Sequence, residues 1–335
     1  MYRQSFLHKS FSTSCRVRHE NPLGLPRRGA AAAPPQIPRR GGGITKRPIP
    51  NVKKVLVVAS GKGGVGKSTV AVNLAFALAM RNGPTRLRVG VLDLDIFGPS
   101  VPKLMGLDRA EEPNLTESGA LIPLVNHGLP CMSMGFLLPH PSSSDSNADV
   151  PVVWRGLMVQ KAVQQLLFDV DWRLGAGGDS TTLGLDVLVI DMPPGTGDVP
   201  LTLGQLVNVD GAVIVSTPQD VALSDVRKGI AMFRKVNVPI TGLVLNQSYF
   251  LCPSCTTSHH LFGSPDVFNQ TAEQLGVPVL GELPLIPGVS SGGDAGVPYG
   301  LVRNDKVKDT DGTGGTKWKD SMREIATEVS RRLHL

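Results

Sequence analysis

Gly61-Lys62-Gly63-Gly64-Val65-Gly66-Lys67-Ser68 fits the phosphate-binding pattern G-x-x-x-x-G-K-[ST]. Its flanks fit as well. Lys54-Val55-Leu56-Val57-Val58-Ala59 is a short β-branched run that stops at Ser60-Gly61, which predicts a buried strand. From Thr69 to Met80 the chain is almost wholly apolar and Ala/Leu-rich until Asn82-Gly83-Pro84, which predicts a buried helix with a defined end. Strand, loop and helix N-terminus bring unpaired backbone N–H groups and a positive helix end to one point, where a polyphosphate is stabilised. Gly61, Gly63, Gly64 and Gly66 let the backbone come close, with Val65 and Thr69 completing the cradle. Lys67 is expected to reach the β- and γ-phosphates and the Ser68 hydroxyl to ligate Mg²⁺. A chance glycine-rich turn would not bring its own strand and helix.

The remaining segments extend one sheet. Leu87 to Asp95 reads as a strand ending in two acids, and Leu185 to Ile190 as a strand ending in Asp191, the Walker B arrangement for holding Mg²⁺ through water. Gly211–Ser216, Ile240–Leu245 and Pro278–Leu283 are further strands; Trp154–Leu167, Val221–Val236 and Asp266–Leu275 are helices. The predicted class is α/β: a single-domain P-loop NTPase, its sheet mostly parallel with helices on both faces. Pro113–Pro123 reads as a hairpin. Leu138–Val150 and Gly175–Thr182 read as loops, and the Gly/Asp-rich stretch from Asn304 to Thr316 as lacking regular structure. The closing helix carries Trp318, Met322, Ile325, Ala326, Val329 and Leu333 on one stripe, expected to pack on the core.

Charge is unevenly distributed. Of 34 Lys/Arg and 28 Asp/Glu residues, residues 1–50 hold ten basic side chains and the single acid Glu20, so the body from Asn51 to Leu335 is net −3. A body of that sign argues against nucleic-acid binding. Met1–Arg18 is Arg/Ser-rich and free of acids, the composition of a mitochondrial transit peptide, and Gly29–Gly43 is an Ala/Pro/Gly-rich linker. The expected organisation is therefore a transit peptide with linker over 1–50 and an ATPase domain over 51–335. No stretch approaches 18 consecutive apolar residues, so no stable membrane insertion is expected.

Lys62 adds a second lysine inside the glycine loop. The spacing G-K-G-G-V-G-K-S-T resembles the deviant P-loop ATPases, which include the nitrogenase iron protein, the Min and Par ATPases and the Mrp/NBP-type iron–sulfur carriers. Asp93-Leu94-Asp95-Ile96-Phe97-Gly98-Pro99-Ser100, Val152-Val153-Trp154-Arg155-Gly156 and Asp191-Met192-Pro193-Pro194-Gly195-Thr196-Gly197-Asp198 narrow the resemblance to the Mrp/NBP branch. The resemblance implies a nucleotide-dependent homodimer, in which Lys62 crosses to the partner's nucleotide. It further implies that Asp95 lies near the attacking water and Mg²⁺, that Asp198 is a switch residue, that Asn246 contacts adenine and that Gly292–Pro298 is a loop near the nucleotide. A helix-capping role is nearly as good a reading of Asp93. No N-K-x-D guanine signature occurs, which favours ATP over GTP. No chemistry follows for Arg155.

Four cysteines remain. Cys15 lies in the presequence and Cys131 in a buried strand, where it is inert filling. Cys252-Pro253-Ser254-Cys255 is a C-x-x-C loop, which converges two thiolates on a soft metal. Two thiols do not complete a tetrahedral site. The dimer that the resemblance implies would supply two from each chain, the Cys₄ set of a [4Fe–4S] cluster. A zinc site completed by His259 or His260 and a thioredoxin-like redox pair are the alternatives. The resulting expectation is an ATP-dependent iron–sulfur carrier acting on apo-proteins in the mitochondrial matrix, complex I subunits first among them, with slow ATP hydrolysis. A partition-type ATPase and a zinc-stabilised nucleotide-binding module are its rivals.

Overall fold

The computed structural model describes residues 45–81, 86–96, 98–137, 156–173, 183–252 and 254–335. β1 (Val52–Ser60) is buried at every position from Val55 onward, as a central parallel strand covered on both faces must be. It leads through the glycine loop into α1 (Lys67–Ala79), and the chain returns as β2 (Val89–Asp93). After α2 (Val101–Leu104) come β3 (Leu124–Asn126), β4 (Leu129–Ser133), α3 (Gly156–Phe168), β5 (Leu185–Asp191), α4 (Asp198–Leu206), β6 (Gly211–Ser216), α5 (Asp220–Lys235) and β7 (Ile240–Leu245). A small hairpin of β8 (Phe250–Leu251) and β9 (Ser258–His259) precedes α6 (Asp266–Leu275) and β10 (Val279–Glu282). The chain closes with α7 (Pro287–Asp294), α8 (Asn304–Thr310) and α9 (Gly312–Leu333).

The large sheet runs in the order β10-β7-β6-β1-β5-β2-β4-β3 and is parallel except at β3, which folds back on β4. β1, β2, β5 and β7 all end on one edge of this sheet, and in open α/β sheets ligands bind outside that edge. The register sets Asp93 directly beside Asp191 at the ends of β2 and β5. No described helix is long and apolar enough to cross a membrane.

One sequence-based expectation changes, and another holds with an added tie. Pro113–Pro123 forms its hairpin: Leu115 bridges Leu121, the Ile122 N–H donates to the Asn114 carbonyl at 2.8 Å and the Thr116 N–H to the Ala120 carbonyl at 2.8 Å. Leu121 also exchanges backbone bonds with Asp169 and Asp171 beyond α3, which adds a tertiary tie to the hairpin. Chain packing also starts before Asn51: Ile49 is buried, and Arg47 pairs with Val207. The Asn304–Thr316 stretch is helical, forming α8 and the start of α9. Its local composition is overruled by Asp311, which accepts hydrogen bonds from the Tyr299 hydroxyl at 2.8 Å and from the Gly288 N–H at 3.1 Å. Gly315 is required there by space, because a Cβ would sit 2.3 Å from the Tyr299 hydroxyl. The expectations for Leu138–Val150, Arg155 and Gly175–Thr182 lie outside the described residues.

All six stripe residues of α9 are buried against the core, each worth roughly 1.5–3 kcal/mol for the large side chains. A clamp far from the nucleotide edge also stabilises the sheet. Asp186 accepts from Arg88 Nη2 at 2.7 Å and Nε at 3.0 Å and pairs with Lys53 at 2.9 Å. The Arg88 hydrogen bonds hold the Asp186 carboxyl well below the usual carboxylate range. With a depressed folded-state pKa, the unfolded chain binds more protons in acid, so this stabilisation is complete above the ordinary aspartate range and is lost as pH falls below it. Asp186→Asn is expected to lower stability by about 1.5–3 kcal/mol at neutral pH, the scale of hydrogen bonds to a charged group. Chemical denaturation should show the gap to wild type closing below about pH 4.

Candidate functional site

The loop after β1 bends through Gly64 and Gly66, both at φ +81°. Gly66 satisfies two demands at once: it takes a left-handed conformation, and a Cβ there would lie 2.3 Å from Asn246 Nδ2. That amide donates to the Val65 carbonyl at 2.8 Å and ties the end of β7 to the phosphate loop. A cavity of about 430 Å³ opens over Gly63, Gly64, Gly66, Lys67, Ser68 and Thr69. Asp95 and Pro194 line it on one side; Gly293 and Asp294 of α7 line it on another. Lys103 of α2 pairs with Asp294 at 2.9 Å across its rim.

Beneath the loop sits a buried charge cluster. Lys67 Nζ donates to Asp191 Oδ1 at 2.6 Å and to Ser68 Oγ at 3.0 Å, and lies 3.9 Å from Asp95. Asp191 is fully buried and, among the described residues, its Oδ2 has no hydrogen-bond partner. Burial raises the Asp191 pKa against the opposing pull of Lys67. Burial, and then the neighbouring Asp191, push the Asp93 carboxyl up to about 7. Asp93 accepts from the Asp95 and Val101 N–H groups and from Ser133 Oγ, so it braces the start of α2 in the capping role. Two hard carboxylates, one of them with an orphaned buried oxygen, and a hydroxyl suit Mg²⁺, and the Lys67 ammonium stands among these acceptors as the resident cation.

From Asn246 the chain runs directly into the cysteine hairpin. Ser248 Oγ donates to Glu282 at 2.8 Å and the Leu285 N–H to the Tyr249 carbonyl at 2.7 Å, fixing the stem. Cys252 is half-buried and Cys255 exposed. The turn is closed by Thr256 N–H donating to the Cys252 carbonyl at 2.9 Å. The Cys255 thiol lies 3.3 Å from Thr257 Oγ1, and this contact lowers its pKa, toward the thiolate that binds metal. His260 Nδ1 is 3.2 Å from the Ser248 carbonyl, and its ring packs edge-on with Tyr249. His259 is exposed on β9. Among the described residues no three His, Cys, Asp or Glu side chains gather into a metal site. Cys131 is buried, and burial pushes its thiol up to about 12.

Gly61, Gly63–Thr69, Asp95, Asp191 and Asn246 thus converge at one sheet edge. Asp198 opens α4 rather than lining the cavity. One partner escaped the sequence reading: Gln219, whose Oε1 accepts from Lys62 Nζ at 2.9 Å. Its position just after β6, in Thr217-Pro218-Gln219-Asp220 at the ligand edge of the sheet, was the available signal.

Fold and loop together define a P-loop NTPase. The family model ParA, described as NUBPL iron-transfer P-loop NTPase, matches residues 51–316. The chain belongs to that family. A Mus musculus protein named iron-sulfur cluster transfer protein NUBPL is 47% identical over 290 residues, covering 86% of this chain and 80% of that protein. An Arabidopsis thaliana relative named iron-sulfur protein required for NADH dehydrogenase, mitochondrial, is 46% identical over 258 residues, covering 77% of this chain and 75% of its own. Among solved structures, the nucleotide-binding protein of Archaeoglobus fulgidus in complex with ADP matches with a TM-score of 0.59 at 33% identity, over 73% of this chain and 87% of that one. The cell division ATPase MinD of Pyrococcus furiosus shares the fold, with a TM-score of 0.53 at 18% identity over 83% and 98% of the two chains.

Proposed function

We propose that this protein is an ATP-dependent iron–sulfur carrier. Two copies of the chain hold a [4Fe–4S] cluster between their Cys252 and Cys255 thiolates and pass it to apo-proteins of the mitochondrial matrix, complex I subunits among them. The observation that carries this reading is the short link between the two sites: Asn246 is bonded to the phosphate loop, and only residues 247–251 separate it from Cys252. Membership of an iron-transfer family supports it, as do relatives named for cluster transfer and for NADH dehydrogenase. We assign residues 1–50 to import and linkage, with Lys46–Ile49 anchoring the linker to the domain spanning 51–335.

In this reading Lys67 turns from Asp191 to the β- and γ-phosphates when ATP arrives, and Ser68 and Asp191 take Mg²⁺, which neutralises charge developing on the phosphate oxygens. Asp95 orients the attacking water and Asn246 meets the adenine. Lys62 leaves Gln219 for the partner's nucleotide. An intrachain bond of this kind contributes about 1 kcal/mol net and is readily exchanged. Hydrolysis is slow and serves to change how firmly the dithiol loop holds its cargo; transfer needs only a difference in affinity between the two states.

Anaerobic treatment of the purified chain with iron and sulfide tests the assignment. A brown dimer with iron and sulfide in equal amounts is expected; stoichiometric zinc in a colourless monomer would sink it. Lys62→Ala is expected to leave ATP affinity within about threefold, since a rim charge contributes little to binding on its own chain. It should abolish ATP-dependent dimerisation, read by light scattering. Equal loss of both would mean that Lys62 acts only within its own loop.

A further inference from the structure

We propose that the chain carries a second ligand site, for a small carboxylate with an apolar body, at the far end of the phosphate-loop helix. A cavity of about 470 Å³ lies between the end of α1 and α9. Its volume falls in the range of small-molecule sites, roughly 300–1,000 Å³. Ala77, Met80 and Met322 give it an apolar wall, and Arg81, Lys319 and Arg323 line it with cations. Met80, at the end of α1, is a large apolar side chain left 47% exposed by the described residues.

The charges there do not balance. Lys319 is only 8% exposed, yet among the described residues its ammonium bonds two neutral acceptors, the Val302 carbonyl at 2.6 Å and Asn304 Oδ1 at 2.8 Å. An ammonium has three N–H donors, and a buried cation without a counter-ion is costly. Burial and the nearby Arg323 accordingly lower the Lys319 pKa, with Asp320 opposing. Arg81 Nε is buried without a hydrogen-bond partner among the described residues. Arg323 is matched, by Asp320. The carbonyl end of α1 offsets part of the Arg81 charge, but Lys319 sits inside α9 with no such relief. A bare mineral anion would leave the apolar wall uncovered, and a neutral hydrocarbon would leave the cations unpaired. A carboxylate on a short hydrocarbon body answers both. The site is separate from the nucleotide cavity, which α1 meets at its opposite end.

Calorimetric titration of the full chain with octanoate, in saturating Mg–ATP, tests this. Saturable single-site binding is expected, with octanol and inorganic phosphate each at least about tenfold weaker, the scale of one charge-assisted hydrogen bond or a few buried methylenes. Lys319→Met and Arg81→Gln should each weaken octanoate about tenfold while Mg–ATP binding stays unchanged. Arg81 is at the end of a helix, so its variant tests the site even where Lys319→Met fails to fold. The proposal is overturned by absent saturation, by displacement of octanoate by ATP, by phosphate binding as tightly, or by unchanged octanoate affinity in Arg81→Gln.

Discussion

Lys67→Ala is expected to abolish useful ATP binding and to destabilise the nucleotide-free protein. Among the described residues Lys67 is the one cation paired with Asp191, at 2.6 Å, and it is itself only 6% exposed. Truncating one member of a buried charge pair costs about 2–5 kcal/mol, so ATP affinity should fall between roughly 30-fold and several thousandfold. The same change leaves Asp191 and its strand neighbour Asp93 without their shared countercharge. The loss of stability is bounded by about 3–5 kcal/mol and is softened because burial already favours the protonated forms. Adding Asp191→Asn to a Lys67→Met chain removes the unpaired charge, and should recover thermal stability without recovering ATP affinity. Calorimetric melting beside nucleotide titration separates the two effects. Full stability in the single variant would mean that the pair contributes nothing to the resting fold.

The second large effect concerns the cysteine loop. Cys252→Ala and Cys255→Ala should each eliminate reconstitution of the cluster, since either leaves the dimer two thiolates short of four. Cys131→Ala is the control. Its thiol is buried with its pKa pushed up to about 12, so it neither reaches a ligand nor supplies a thiolate. It should retain full iron and sulfide content, read by metal analysis and visible absorbance. Loss of the cluster in Cys131→Ala, or retention in either loop variant, would refute the proposed ligand set. Thr257→Val is a graded companion, because the Thr257 hydroxyl is the first cause of the lowered Cys255 pKa.

Short-range signals made the nucleotide site legible in advance. A β-branched run, a glycine loop and an apolar helix are neighbours in the chain, and their geometry follows from backbone sterics and hydrogen bonding. The strands ending at Asp93 and Asp191, and the stripe on α9, were readable for the same reason: period and terminator are local properties. The stretch from Asn304 was misread because its glycines and aspartates look like loop formers one at a time. Their helical state depends on Tyr299 and Gly288, which bond Asp311 from another part of the chain.

By itself, then, the sequence determined the P-loop class, the parallel sheet and the identity of the phosphate-binding, carboxylate and thiol groups. Tertiary structure decided how they engage. Lys62 rests on Gln219 across 157 residues, and Asn246 holds the Val65 carbonyl across 181. Lys67 turns inward to a carboxylate that is fully buried. Such pairings have no periodicity and no local composition to announce them. They depend on which strand ends the packed sheet brings together, and on how far burial there strengthens the interaction between opposite charges.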